Sequence, residues 1–123
     1  MKLKKALKFT LLGLLAILIV GALGMTLWSV TGTYPAGPVA QAALESTSRV
    51  TVTQDQWIIF APVESVEKGL IFYPGGLVEP TAYAPVLHQI AEEGVLVVIV
   101  PMPLNLAIFN TGAADAVLDH YPL

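Results

Sequence analysis

The chain has 123 residues, six basic and nine acidic side chains, a formal net charge of −3 and no cysteine, so disulfides and thiolate metal sites are excluded. The charge is unevenly spread. Lys2, Lys4, Lys5 and Lys8 crowd the first eight positions, whereas residues 31–123 hold only Arg49 and Lys68 against all nine acids, a formal charge of −7. That acidic part is a poor match for nucleic acid or anionic lipid.

From Phe9 to Val30 the chain carries no charge, and Leu11, Leu12, Leu14, Leu15, Ile17, Leu18, Ile19 and Val20 form its apolar centre. As a helix these 22 residues would extend roughly 33 Å, enough for a hydrocarbon core of about 30 Å. A cleaved secretory signal has a shorter apolar stretch, of about 7 to 15 residues. The small residues of Pro38-Val39-Ala40-Gln41-Ala42-Ala43 could nonetheless offer a cleavage site, but the length of the run favours an uncleaved signal anchor. Lysines before the span and none just after it place the amino terminus in the cytoplasm and the remainder outside.

Residues 31–48 are rich in Gly, Pro, Ala, Ser and Thr, with Pro35 and Pro38 interrupting any period, and read as a tether. The alternation of Arg49-Val50-Thr51-Val52-Thr53 predicts a strand with one wet face. A turn at Gln54-Asp55-Gln56 and a second strand at Trp57–Pro62 would complete an antiparallel hairpin. Leu70–Tyr73 and Val95–Val100 are continuous apolar runs, expected of strands buried on both faces in a parallel sheet. Between them Tyr83, Leu87, Ile90 and Ala91 recur at helical spacing, with Pro85 tolerable only in the first turn, Glu92 and Glu93 as a solvated end, and Gly94 as the stop. Strand, helix and strand then form one right-handed βαβ crossover. A further amphipathic stretch places Ala113, Ala116, Val117 and His120 on one face.

Phe72-Tyr73-Pro74-Gly75-Gly76-Leu77 sets a glycine pair directly after a buried strand and ahead of a helix. Such a loop turns sharply and bares N–H groups that could bind an oxyanion; alone, it is also compatible with a tight turn and no ligand. It lacks the G-x-G-x-x-G spacing and the G-K-[ST] ending of nucleotide-binding loops. With Ala82-Tyr83-Ala84-Pro85 and Val97-Val98-Ile99-Val100-Pro101-Met102-Pro103-Leu104-Asn105-Leu106-Ala107 following in order, the stretch Gly69 to Pro122 resembles the amino-terminal part of the α/β-hydrolase fold-5 family. The resemblance implies hydrolysis of an ester or similar acyl bond by a Ser, His and acid triad. It also implies that the loop Gly75, Gly76, Leu77 supplies one oxyanion-hole N–H.

The family's nucleophile lies in G-x-S-x-G after the next strand, and this chain contains no such pentapeptide. Ser29 is in the apolar span, Ser46 and Ser48 are in the tether region, and Ser65 is in a turn between strands. His88 is expected to face solvent from the crossover helix. His120 follows Asp119, but adjacent helical residues point about 100° apart and make no dyad. Two histidines 32 positions apart without a third ligand give no metal site, and no cofactor is implied.

The resulting expectation is an α/β protein: a partial α/β-hydrolase sheet, with an antiparallel hairpin followed by a βαβ crossover, preceded by a single transmembrane helix. Residues 1–30 form the basic end and signal anchor, 31–48 the tether, and 49–123 the truncated hydrolase-like domain. The bilayer is the partner of residues 9–30, and an ester-like small molecule is a substrate only if the domain is completed. No catalytic residue is assigned. The competing expectation is a non-catalytic, membrane-anchored binding or interaction module.

Overall fold

No proline and no acidic residue interrupts positions 2–32, and they form one helix, α1 (Lys2–Gly32), in the computed structural model, which describes residues 2–122. At about 1.5 Å per residue its 31 residues extend roughly 46 Å, longer than the expected 9–30, and take in the lysines at the amino end. It is the one helix among the described residues that is long and apolar enough to cross a membrane. Three of its hydroxyls are satisfied within the helix: those of Thr10, Thr26 and Thr31 donate to the carbonyls of Ala6, Ala22 and Leu27 at 3.1, 2.9 and 2.8 Å. That back-bonding leaves no hydroxyl proton of these three threonines to be desolvated unpaired, as an apolar surrounding requires.

Residues 33–123 form a second compact unit. Its sheet contains β1 (Val50–Gln54), β2 (Ile58–Pro62), β3 (Lys68–Phe72) and β4 (Val95–Ile99) in the order β1-β2-β4-β3. β1 and β2 pair antiparallel with Val52 opposite Phe60, β2 and β4 antiparallel with Ile59 opposite Val98, and β3 and β4 parallel with Ile71 opposite Val98. The hairpin and the parallel pair thus agree with the alternating and continuous apolar runs. β3 is an edge strand among the described residues.

Side chains alternate across the sheet and create two cores. On one face Val50, Ile58, Phe60, Val97 and Ile99 pack beneath Ala84, Leu87 and Ala91 of α3 (Ala84–Glu92). On the other, Leu96, Val98, Val100 and Met102 meet Ala113 and Val117 of α4 (Ala113–His120). Burying such aliphatic and aromatic side chains contributes about 1.5–3 kcal/mol each. In α4 the buried line is Ala113 and Val117, while Ala116 and His120 remain exposed, so the face is narrower than expected. His120 instead meets the Trp57 ring edge-on at 5.7 Å.

The crossover enters α3 through a 3-10 turn, Pro80–Tyr83, with Pro85 in the first turn of the helix where its missing N–H has no partner to lose. It ends at Gly94, whose φ of +87° is the left-handed conformation that stops a helix and whose N–H donates to Ala91 O at 3.0 Å. Glu92 is not merely solvated, because its carboxylate pairs with Arg49 at 3.0 Å and ties the helix end to the start of β1.

Two expectations are corrected. The stretch 31–48 is no free tether: after Thr31 and Gly32 finish α1, residues 33–44 fold against the sheet unit through the short helix α2 (Pro38–Ala42). Ala40 is buried, and Ala43 and Leu44 pack on the core beneath α3. The reason is that its alanines and leucine cover apolar surface that α3 alone leaves open. His88 is likewise buried, at 8% exposure, with Nδ1 2.8 Å from Ala43 O and its ring 5.6 Å from Phe60. The docked strap supplies both the cover and the carbonyl.

Candidate functional site

Because β3 and β4 are parallel neighbours, their carboxyl ends emerge on one side of the sheet, where open α/β sheets bind ligands. The loops leaving them are residues 73–78 and 100–110. Each contains non-glycine residues with left-handed backbone: Leu77 at φ 56° in the first, Leu104 at 54° and Asn105 at 52° in the second. Such conformations cost of order 1–3 kcal/mol and persist only where surrounding contacts enforce them.

Those contacts are hydrogen bonds between the loops. Leu77 N–H donates to Asn105 O at 2.9 Å, and Asn105 and Leu106 close their own turn by donating to Met102 O and Pro103 O at 3.0 Å. Asn105 Nδ2 donates to Thr33 Oγ1 at 3.0 Å. The strap then runs beside the first loop as a parallel bridge of Tyr34 with Val78: Tyr34 N–H donates to Leu77 O at 2.8 Å, and Glu79 N–H to Tyr34 O at 3.0 Å. Glu79 pins the strap two residues further on as well, accepting from Ala36 N–H at 2.7 Å while its other oxygen accepts from Thr81 at 2.8 Å. The Ala36 amide, and secondarily the Thr81 hydroxyl, hold the Glu79 carboxyl below its ordinary pKa; its slight burial opposes them.

Within the glycine loop the three N–H groups have different fates. Gly75 N–H donates to Tyr83 Oη at 3.1 Å, and Leu77 N–H is taken by Asn105. Gly76 N–H has no hydrogen-bond partner among the described residues, and Gly76 is exposed. The loop therefore offers one free amide, held between two occupied ones. Tyr73 braces the other side, accepting from Ala114 N–H at 2.6 Å in the first turn of α4 and donating to Thr111 O at 3.1 Å.

Ser46, His88 and His120 do not join this loop. Ser46 Oγ accepts from Val52 N–H at 2.9 Å beside β1, His88 is locked under the strap, and His120 packs on Trp57. Among the described residues no three His, Cys, Asp or Glu side chains gather into a metal site. Sequence reasoning found the glycine pair but missed Leu104, Asn105, Tyr83, Thr33 and Glu79 as its supports. Asn105 tolerates left-handed backbone better than most residues, the one local signal available for that turn.

These features define an α/β protein: a mixed four-stranded sheet between helical layers, with its candidate loop at the carboxyl ends of parallel strands. Residues 69–123, a little under half the chain, match the sequence model of the Alpha/beta hydrolase family, in agreement with the resemblance. Comparisons with curated proteins and with solved structures gave no match.

Proposed function

We propose that the chain is the amino-terminal part of a membrane-anchored, extracytoplasmic α/β-hydrolase acting on an ester or related acyl bond. The observation that carries this reading is the single free amide of Gly76, fixed at the carboxyl end of β3 by Tyr83 on one side and Asn105 on the other. A preorganised amide suits an acyl oxygen that becomes negative as its carbonyl is attacked, and losing one such donor typically costs about 10²–10³ in rate. Gly75, Gly76 and Leu77 are thus the oxyanion loop, with Gly76 the donor and its neighbours positioning it. The nucleophile, acid and His lie outside these 123 residues, which alone do not hydrolyse.

In this reading α1 is an uncleaved anchor whose apolar residues 9–30 lie in the bilayer. The lysines at its start keep the amino terminus cytoplasmic. The acidic remainder is outside and takes no nucleic acid. The test is the coding DNA just beyond codon 123. A continuing frame that encodes a strand and then G-x-S-x-G supports the reading, and its absence favours the membrane-anchored binding module.

A further inference from the structure

No charged residue occurs from Gly94 to Ala114, so the loop leaving β4 builds a charge-free rim beside the glycine loop. Ile108 is 77% exposed and Phe109 48%, and Tyr34 of the strap is 73% exposed. Scattered apolar side chains on a surface are ordinary. These lie on two segments, the strap and the loop leaving β4, each hydrogen-bonded to the glycine loop, from Tyr34 N–H to Leu77 O and from Leu77 N–H to Asn105 O, while Phe109 N–H donates within its own loop to Leu106 O at 3.2 Å.

Their place in the chain supplies the occupant. Thr33 directly follows Gly32, the last residue of the helix long and apolar enough to cross a membrane. A residue advances the chain by at most about 3.6 Å, so Tyr34 lies within about 7 Å of that helix end, and its amide is bonded to the glycine loop itself. Tyrosine at the end of a span favours the headgroup region.

We propose that the rim carrying Tyr34, Ile108 and Phe109 rests in the bilayer interface and that the Gly75–Leu77 loop opens toward it. The compounds that reach Gly76 N–H are then amphiphilic acyl compounds held in the membrane, not freely dissolved esters. This rests on the membrane-anchored reading above. The acidic charge of residues 31–123 means that the contact is apolar and does not require anionic lipid.

The absence of native cysteine permits a direct test. Ile108→Cys, Phe109→Cys and, as a control, Val63→Cys are labelled with an environment-sensitive fluorophore in the full chain and reconstituted into phosphatidylcholine vesicles. Val63 is 61% exposed and follows β2, at the opposite end of the sheet from the rim, because Ile58 at the start of β2 pairs with Ile99 at the end of β4. The expected result is blue-shifted emission at positions 108 and 109 that is quenched by nitroxide-bearing lipid, with position 63 reporting water. Aqueous emission at 108 and 109 in a chain that resists carbonate extraction overturns the inference while leaving the anchor standing. A blue shift insensitive to nitroxide lipid and lost on dilution assigns the rim to a second copy, and overturns it too. Extraction by carbonate removes the anchor and this inference together.

Discussion

The hydroxyl of Tyr83 accepts the Gly75 amide proton across 3.1 Å and lies 2.6 Å from the point that a Cβ on residue 75 would occupy. The Tyr83 ring cannot simply swing away, because it packs on Phe72 with ring centroids 4.8 Å apart. Gly75→Ala therefore displaces Oη and loses the bond, destabilising by about 1 kcal/mol, and Tyr83→Phe costs about 0.5–1.5 kcal/mol. In the Tyr83→Phe background the methyl no longer meets an oxygen, so Gly75→Ala should cost less there than in the wild type. A double-mutant cycle by urea unfolding checks this, and strict additivity would refute the contact.

Glu79 makes the strap sensitive to acid. Its folded pKa is depressed, chiefly by Ala36 N–H and then by Thr81, so its contribution to stability is present above the unfolded value of about 4.3. That contribution is lost as pH falls through the folded value. Lowering the pH through the depressed folded value should reduce the protection of the Tyr34 and Ala36 amides, measured against intrinsic exchange at each pH, before the sheet opens. Glu79→Gln should reduce that protection already at neutral pH and flatten its pH dependence; an unchanged profile would contradict the pin.

His88 is predicted to be structural. Facing a carbonyl at 2.8 Å, its Nδ1 must carry a proton and donate to Ala43 O. His88→Leu keeps apolar volume near Phe60 but leaves that carbonyl unpartnered, at a cost of about 1–3 kcal/mol. Nitrogen chemical shifts of the imidazole should show the Nδ1–H form, and a ring protonated on Nε2 alone would rule the bond out.

Purified chain should turn over short activated esters, such as p-nitrophenyl acetate, no faster than background. An oxyanion donor stabilises charge only once a nucleophile has attacked; the chain holds no G-x-S-x-G, Ser46 is bonded beside β1, and His88 and His120 are packed elsewhere. Activity that survives removal of contaminants, and that falls in Gly76→Pro, would overturn this.

The free edge of β3 is expected to make the sheet unit associate. Leu70, Ile71 and Phe72 carry no charge to discourage strand pairing, and beside them a cleft of about 320 Å³ is lined by Leu96, Val98, Val117 and Tyr121. A fragment of residues 49–123 also loses Ala40, Ala43 and Leu44 from its core and the partner of His88. It should therefore self-associate or lose cooperative unfolding to a greater degree than residues 33–123. Sedimentation and hydrogen exchange on the two fragments check this; a protected, monomeric 49–123 would count against it and for the binding-module reading.

The sequence determined by itself those features whose cause is local. The apolar run after Lys8 had to become a long helix, the alternation of Val50 and Val52 with threonines gave β1 one wet face, and the unbroken run Val95–Val100 needed cover on both sides. Pro85 and Gly94 marked the ends of α3 because their backbone limits act within a single turn. The tertiary structure alone decided how the glycine loop is held. Residues 33–44 look like a linker because their order comes from backbone pairing with Leu77 and Glu79 and from small alanines filling a gap, neither of which leaves a period in the sequence. His88 looked solvent-facing because the carbonyl that satisfies it lies 45 positions away. Leu77 and Leu104 gave no sign of left-handed backbone, since leucine does not favour it; the hydrogen bonds between two loops at the ends of neighbouring strands impose it, and those neighbours exist only once the sheet has formed.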